Sequence, residues 1–200
     1  MNQKIFLLKI SLKEIEPKIW RRFIVPTTIT LDRLHDVIQI IMGWKDYHLY
    51  EFLIDGKVYT ENPADSTQGA EVGKHILGDL INRKGGKFQY LYDFGDYWEH
   101  EVILENRNYS NPDIEVNLTC LEGERSCPPE DVGGSYGYYD FCEGISDSNH
   151  PQHQEYLDWF SDLDFYDSQE FKCESFSAEK TNIELMKYLR WSRQRLSPWL

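Results

Sequence analysis

Phe88-Gln89-Tyr90-Leu91-Tyr92-Asp93-Phe94-Gly95-Asp96-Tyr97-Trp98-Glu99-His100-Glu101-Val102-Ile103-Leu104 reads as two strands folded back on each other. Aromatic and β-branched residues fill both arms, and Phe94-Gly95-Asp96 supplies the turn. On the second arm Trp98, His100, Val102 and Leu104 share one face, so His100 should point to the apolar side of the sheet. Outward from this hairpin the same period recurs. Phe6, Leu8, Ile10 and Leu12 alternate with polar neighbours, and Ile19 to Val25 is a second strand. The short connection through Glu14-Ile15-Glu16-Pro17 makes these two a hairpin. His48, Tyr50, Phe52 and Ile54 alternate before an Asp55-Gly56 turn into Val58 and Tyr59.

Helical spacing separates the strand patterns. Thr30 is a fair N-cap, with Asp32 in the first turn. Leu31, Leu34, Ile38 and Ile41 make a buried stripe, and Gly43 is a natural stop. His35 is assigned to the solvated face. Residues 61–75 read as an exposed loop, and Leu77 to Ile81 as a short helix ended by Lys84-Gly85-Gly86. Val116 to Cys120 reads as a short strand, expected beside the 88–104 hairpin. In the last third, Pro151 suits a helix N1 position ahead of Tyr156, Leu157, Phe160 and Leu163. Thr181 and Glu184 form a capping box for a basic last helix, about 181–196, with Leu185, Leu189 and Leu196 inward. The fold class is therefore α+β: a mainly antiparallel sheet with helices packed on it, in one domain spanning 1–200, its C-terminal third mostly helical.

Charge narrows the function classes. The 200 residues carry a net −13, unevenly placed. Residues 1–24 and 180–200 are each net +4, whereas 25–179 is net −21, and 126–171 holds eleven acids and no Lys or Arg. Such a surface repels phosphate backbones, so sequence-specific duplex DNA binding is disfavoured. No apolar run approaches the roughly 18 residues of a membrane span. The N-terminus lacks a cleavage-site pattern, so the expected compartment is cytoplasmic, with Cys120, Cys127, Cys142 and Cys173 as free thiols. Their spacing matches no zinc pattern.

Two segments stand out chemically. In Tyr92–His100, Asp93 and Asp96 sit at a turn beside the inward His100, between aromatic walls that include Trp98. They read either as a turn capping its own backbone with a core-edge histidine, or as metal and ligand contacts. In Cys127-Pro128-Pro129-Glu130-Asp131-Val132-Gly133-Gly134, two prolines stiffen the approach and two glycines free the backbone to turn or approach a ligand. The ligand-binding candidates are Asp93, Asp96, Trp98, His100, Cys127, Glu130, Asp131, Gly133 and Gly134. The metal candidates among them are Asp93, Asp96, His100, Glu130 and Asp131. Trp20-Arg21-Arg22 reads as structural, with the arginines on opposite faces. Trp44 and His48 flank a turn and receive no chemical role. His150 and His153 read as surface residues. No G-x-S-x-G, H-E-x-x-H or G-x-G-x-x-G pattern occurs.

These segments resemble a family. Ile15-Glu16-Pro17-Lys18-Ile19-Trp20-Arg21-Arg22, Leu31 to Gln39, Gly43-Trp44 and His48-Leu49-Tyr50-Glu51-Phe52 look like the opening of the plasmid pRiA4b ORF-3-like domain. Tyr90 to His100, and Cys127 to Gly134 with Gly137-Tyr138, resemble its two most distinctive motifs. The likeness runs from about 4 to 175. It departs at Asp167-Ser168-Gln169-Glu170-Phe171, where the family often has Asp-Pro-Glu-x-Phe. The resemblance implies an α+β domain of bacteria and archaea. Through a passenger label that some members carry, it also implies association with mobile elements. Resolvase chemistry finds no arginine-surrounded serine here.

Two function classes are compatible with these residues. One is a binding or accessory module whose aromatic, acidic pocket takes a protein, a peptide or a small cationic ligand. The other is a divalent-metal or acid–base enzyme, hydrolase-like, on the same carboxylate and histidine cluster. No cofactor is certain; Mg²⁺, Mn²⁺ or Zn²⁺ suits the ligand types. Both place the Asp93–His100 hairpin and the Cys127–Gly134 loop around one pocket.

Overall fold

The structure, a computed structural model, describes residues 4–63, 69–110, 117–163 and 171–192. Among the described residues eight strands run β1 (Ile5–Leu12), β2 (Trp20–Pro26), β3 (Tyr50–Ile54), β4 (Lys57–Thr60), β5 (Ala70–Glu71), β6 (Lys87–Tyr92), β7 (Trp98–Asn106) and β8 (Thr119–Glu124). The α-helices among them are α1 (Leu31–Met42), α2 (Leu77–Leu80), α3 (Gly134–Ser146), α4 (His153–Ser161) and α5 (Ala178–Ser192). The strands form one sheet in the order β5-β4-β3-β6-β7-β1-β2-β8. Every pair is antiparallel except β4 with β5. The α+β reading therefore holds. Among the described residues no helix is long and apolar enough to cross a membrane.

Alternation turns one face of the sheet into the core. Leu8, Ile10, Phe52, Tyr90, Tyr92, Val102 and Leu104 are buried there, and α1 lays Leu31, Leu34, Val37, Ile38 and Ile41 against them. Each such side chain contributes about 1.5–3 kcal/mol relative to exposure. Gly43 ends α1 in the left-handed region at φ 110°, where its N–H returns to the Gln39 carbonyl. The strand register lines up aromatic residues. Tyr50 pairs with Tyr92, and Tyr92 with Trp98, so three aromatics cross β3, β6 and β7 at one end of the sheet. His48 lies two residues before Tyr50, and Asp93 one residue after Tyr92. That end of the sheet is where the loops converge.

Several expectations are corrected. β8 is an edge strand beside β2, not a neighbour of the β6–β7 hairpin: β1 and β2 lie between them. Strand β2 offered a free edge, while β6 already had β3 as its other partner. Residues 134–146, for which the sequence predicts no element, form α3. His35 is buried rather than solvated. It lies four residues after Leu31 and three before Ile38, within the apolar stripe. Cys142 and Cys173 are joined as a disulfide, Cα–Cα 6.0 Å, so only Cys120 and Cys127 are free. Packing of Phe141 on Phe171, centroids 5.2 Å apart, brings the two segments together. Helix α4 starts after Gln152 and turns Trp159 rather than Leu157 toward Phe141. Helix α5 starts at Ala178, where Ser177 Oγ accepts the Lys180 N–H at 3.2 Å; Thr181 lies inside the helix. Val116, Leu196 and Asp167 to Glu170 lie outside the described residues.

Arg21 and Arg22 face opposite sides as their adjacency requires. Arg21 is buried and donates to the carbonyls of Ile41 (2.9 Å), Trp20, Glu124 and Arg125 (2.8 Å each). Arg22 lies on the outer face and pairs with Glu105 at 2.6 Å and with Glu122.

Candidate metal centre

Three loops meet beyond the aromatic row: 43–49 after α1, the hairpin turn 93–97, and 125–133 before α3. Hydrogen bonds interlock them. Trp44 Nε1 donates to the Pro128 carbonyl at 3.1 Å, and the Lys45 N–H to Glu130 Oε1 at 2.7 Å. The Asp93 N–H donates to the Leu49 carbonyl at 2.9 Å, and the Gly133 N–H to Asp96 Oδ2 at 3.0 Å. Gly133, at φ 92°, opens α3, and a Cβ at Gly134 would sit 3.1 Å from the Asp96 carbonyl oxygen. Glycine at 134 is thus what lets the third loop lie against the hairpin turn.

At the junction stands His48. Its Nε2 lies 3.3 Å from Asp131 Oδ1, 3.7 Å from Asp93 Oδ2 and 3.8 Å from Glu130 Oε2. That nitrogen is buried, yet among the described residues it makes no hydrogen bond. Ligand atoms from His48, Asp93 and Asp131 all lie within 4.8 Å of one another. Asp93 and Glu130 each divide their oxygens between two tasks. Asp93 Oδ1 accepts the Gly95 N–H at 2.8 Å, which leaves Oδ2 facing His48. Glu130 Oε1 accepts from Lys45 N and, at 3.0 Å, from the Tyr92 hydroxyl; Oε2 faces His48. Asp93 and Asp131 both sit at φ 57°, in the left-handed region that aspartate tolerates better than most residues.

The electrostatics are adverse in the absence of a cation. Glu130 is fully buried, and burial, the largest cause, raises its carboxyl pKa; Asp131 pushes the same way, while Lys45 N–H, Tyr92 and His48 oppose. Burial chiefly, and Glu130 next, also raises the Tyr92 hydroxyl. Two like charges about 4 Å apart repel by about 1 kcal/mol in water and about 4 kcal/mol at an effective dielectric of about 20.

The sequence-derived candidates separate. Asp93, Glu130 and Asp131 come together. Asp96 bridges two loops through Gly133. Trp98 is buried, its ring 6.3 Å from Trp44. His100 is fully buried with Nδ1 3.1 Å from the Tyr90 carbonyl and its ring edge-on to Trp44. Burial lowers its pKa to about 4, so it is neutral at pH 7. Cys127 is buried, which raises its thiol well above the ordinary value and removes it as a nucleophile. His48, to which the sequence reading assigns no chemical role, joins them, although it has the same strand parity as Tyr50 and Phe52.

The family model described as "Plasmid pRiA4b ORF-3-like protein" matches residues 4–175. The uncharacterized protein y4hQ of Sinorhizobium fredii is 39% identical over 175 residues, covering 84% of this chain and 86% of that protein. The crystal structure of a protein of unknown function, MM3350, from Methanosarcina mazei Go1 superposes with a TM-score of 0.75 at 33% identity. It covers 90% of this chain and 98% of that one.

Proposed function

The chain belongs to the plasmid pRiA4b ORF-3-like family, and from that premise and the loop geometry we propose that it is a binding module organised around one divalent cation. His48, Asp93, Glu130 and Asp131 would hold the ion. The observation that carries this is the convergence of three carboxylate oxygens, from two other loops, on a buried His48 nitrogen with no hydrogen bond among the described residues. Ligand bonds of about 2.1 Å put neighbouring ligand atoms roughly 3.0–3.4 Å apart and opposite ones about 4.2 Å apart. The distances from His48 Nε2 to the three carboxylates, 3.3, 3.7 and 3.8 Å, lie within tenths of an ångström of the neighbouring-ligand range, and His48, Asp93 and Asp131 form the tightest group. One imidazole with three carboxylates suits Mn²⁺, Fe²⁺ or Zn²⁺ better than Ca²⁺.

The open side is at Asp131, 66% exposed, with His48 at 26%. Tyr47, Leu49, Phe94, Tyr97 and Tyr136 are exposed on the same loops or in the first turn of α3. An apolar collar around an ion supports recognition of a protein, a peptide or a small ligand on this face. The second reading, a metal-dependent hydrolase-like enzyme, is favoured by Glu130, a buried carboxyl with a raised pKa beside the ion position.

The test is titration calorimetry with Mn²⁺ and Zn²⁺ on protein purified without a His-tag. One site is expected. His48→Ala and Asp131→Asn should each weaken binding at least about 10-fold while leaving the metal-free melting temperature unchanged or higher, because each removes an unsatisfied or repelling group. Absence of binding by the unsubstituted protein sinks the reading. Ester and phosphoester turnover with and without Mn²⁺ separates the enzyme from the binding module.

A further inference from the structure

Residues 44–48 carry the only histidine of the proposed cation site, and this short stretch is held in an unusual way. Three consecutive main-chain N–H groups each donate to a buried side chain from a different element. Lys45 donates to Glu130 Oε1 at 2.7 Å, Asp46 to Gln39 Oε1 at 2.9 Å and Tyr47 to the Tyr92 hydroxyl at 3.1 Å. The outer two partners belong to the site's own walls. The middle one leads away from it, into the core. Gln39 Nε2 donates to the Tyr90 hydroxyl at 3.0 Å. His35 Nδ1 lies 2.7 Å from that hydroxyl, and His35 Nε2 lies 2.8 Å from Asp46 Oδ1. The His35 ring stacks on Tyr50 with centroids 3.5 Å apart and planes 7° apart.

The donor and acceptor roles are set at the Asp46 end. A carboxylate only accepts, so His35 Nε2 carries the proton given to Asp46. The Tyr90 hydroxyl is hydrogen-bonded to Nδ1 of the same ring, and its oxygen accepts from Gln39. Gln39, Tyr90, His35 and Asp46 thus form a chain that grips Asp46 at both its N–H and its carboxylate. Asp46 sits at φ 60°, and His48 follows two residues later.

We infer that His35, Gln39 and Asp46 are positioning residues of the cation site. They fix the backbone that presents His48 and touch no ion themselves. This rests on the cation reading above. Partners that orient a ligand from one step back are worth about 10–100-fold in metal affinity.

Asp46 is the place to test it. Its side chain is 59% exposed, so substitution there leaves the core intact. Asp46→Ala removes the grip; Asp46→Asn keeps an acceptor, tolerates positive φ and removes the same charge. Mn²⁺ affinity by calorimetry should fall about 10-fold in Asp46→Ala and less than about 3-fold in Asp46→Asn. Equal losses in both would mean that Asp46 acts only as a nearby charge, and would overturn the inference. A second readout needs no metal. Amide hydrogen exchange at Lys45, Asp46 and Tyr47 should accelerate at least about 10-fold in Asp46→Ala and not in Asp46→Asn. Unchanged exchange in Asp46→Ala overturns the positioning role. Failure of the unsubstituted protein to bind Mn²⁺, with the exchange contrast present, overturns the cation reading alone.

Discussion

His100 makes the stability of this protein depend on pH in a direction that can be worked out beforehand. The ring is fully buried, and its pKa is lowered from 6.5 to about 4, with burial the first cause; hydrogen bonds to the Tyr90 and Trp98 backbone oppose. A folded-state pKa below the unfolded one means that the unfolded chain takes up the proton first. The stability is intact above about pH 6.5 and is lost as pH falls toward 4. With these two values, lowering pH from 7 to 5 costs about 2 kcal/mol from this residue alone. For a chain of this size that is roughly 4–8 °C in melting temperature. Carboxylates also titrate in this window, so the comparison is with His100→Asn, which keeps a donor near the Tyr90 carbonyl but cannot be protonated. This variant should be less stable at pH 7, because it leaves a gap beside Trp44, yet should lose less between pH 7 and pH 5. Urea melts at pH 7, 6 and 5 measure both slopes. Parallel slopes for the two proteins would show that His100 stays neutral, or is equally protonated, in both states, and the burial account of its pKa would fall.

Two further outcomes rest on burial. Arg21→Met strips donors from four carbonyls in the core and should cost at least about 3 kcal/mol in urea unfolding, whereas Arg22→Met, on the outer face, should cost about 1 kcal/mol or less; similar losses would show that burial is not what separates them. The thiol of Cys120 is pushed up to about 11 by burial and that of Cys127 is also raised, so an aromatic disulfide reagent should label them only as fast as the chain unfolds. Without reductant the denatured chain should show two thiols rather than four, and rapid labelling of the folded protein would contradict the buried placement of both.

Most of the strands and helix α1 were legible in the amino-acid sequence because local periodicity encodes them, whereas α3 was not. The alternation of Phe6, Leu8, Ile10 and Leu12, the aromatic arms around Phe94-Gly95-Asp96, the Asp55-Gly56 turn and the α1 stripe ending at Gly43 each specify an element, because a strand or helix exposes its pattern within a few residues. The two chemically suggestive segments were legible for the same reason: turn residues, prolines and carboxylates cluster along the chain. Which of those carboxylates meet is a matter of tertiary packing. Strand β8 pairs on the free edge of β2, because β3 and β1 already flank the β6–β7 hairpin. Asp93, Glu130 and Asp131 come together around His48 only because Lys45, Leu49, Asp96 and Pro128 pin three loops that lie more than 80 residues apart in the chain at their extremes. The histidine brought to the carboxylates was therefore His48 and not His100, whose strand carries it into the core. His35 marks the boundary between the two kinds of information. The sequence reading assigns it to the solvated face, although its spacing from Leu31 and Ile38 is that of the buried stripe; its partners Tyr90 and Asp46 lie on a distant strand and in the following loop, and a hydrogen bond between separate segments leaves no period in a sequence.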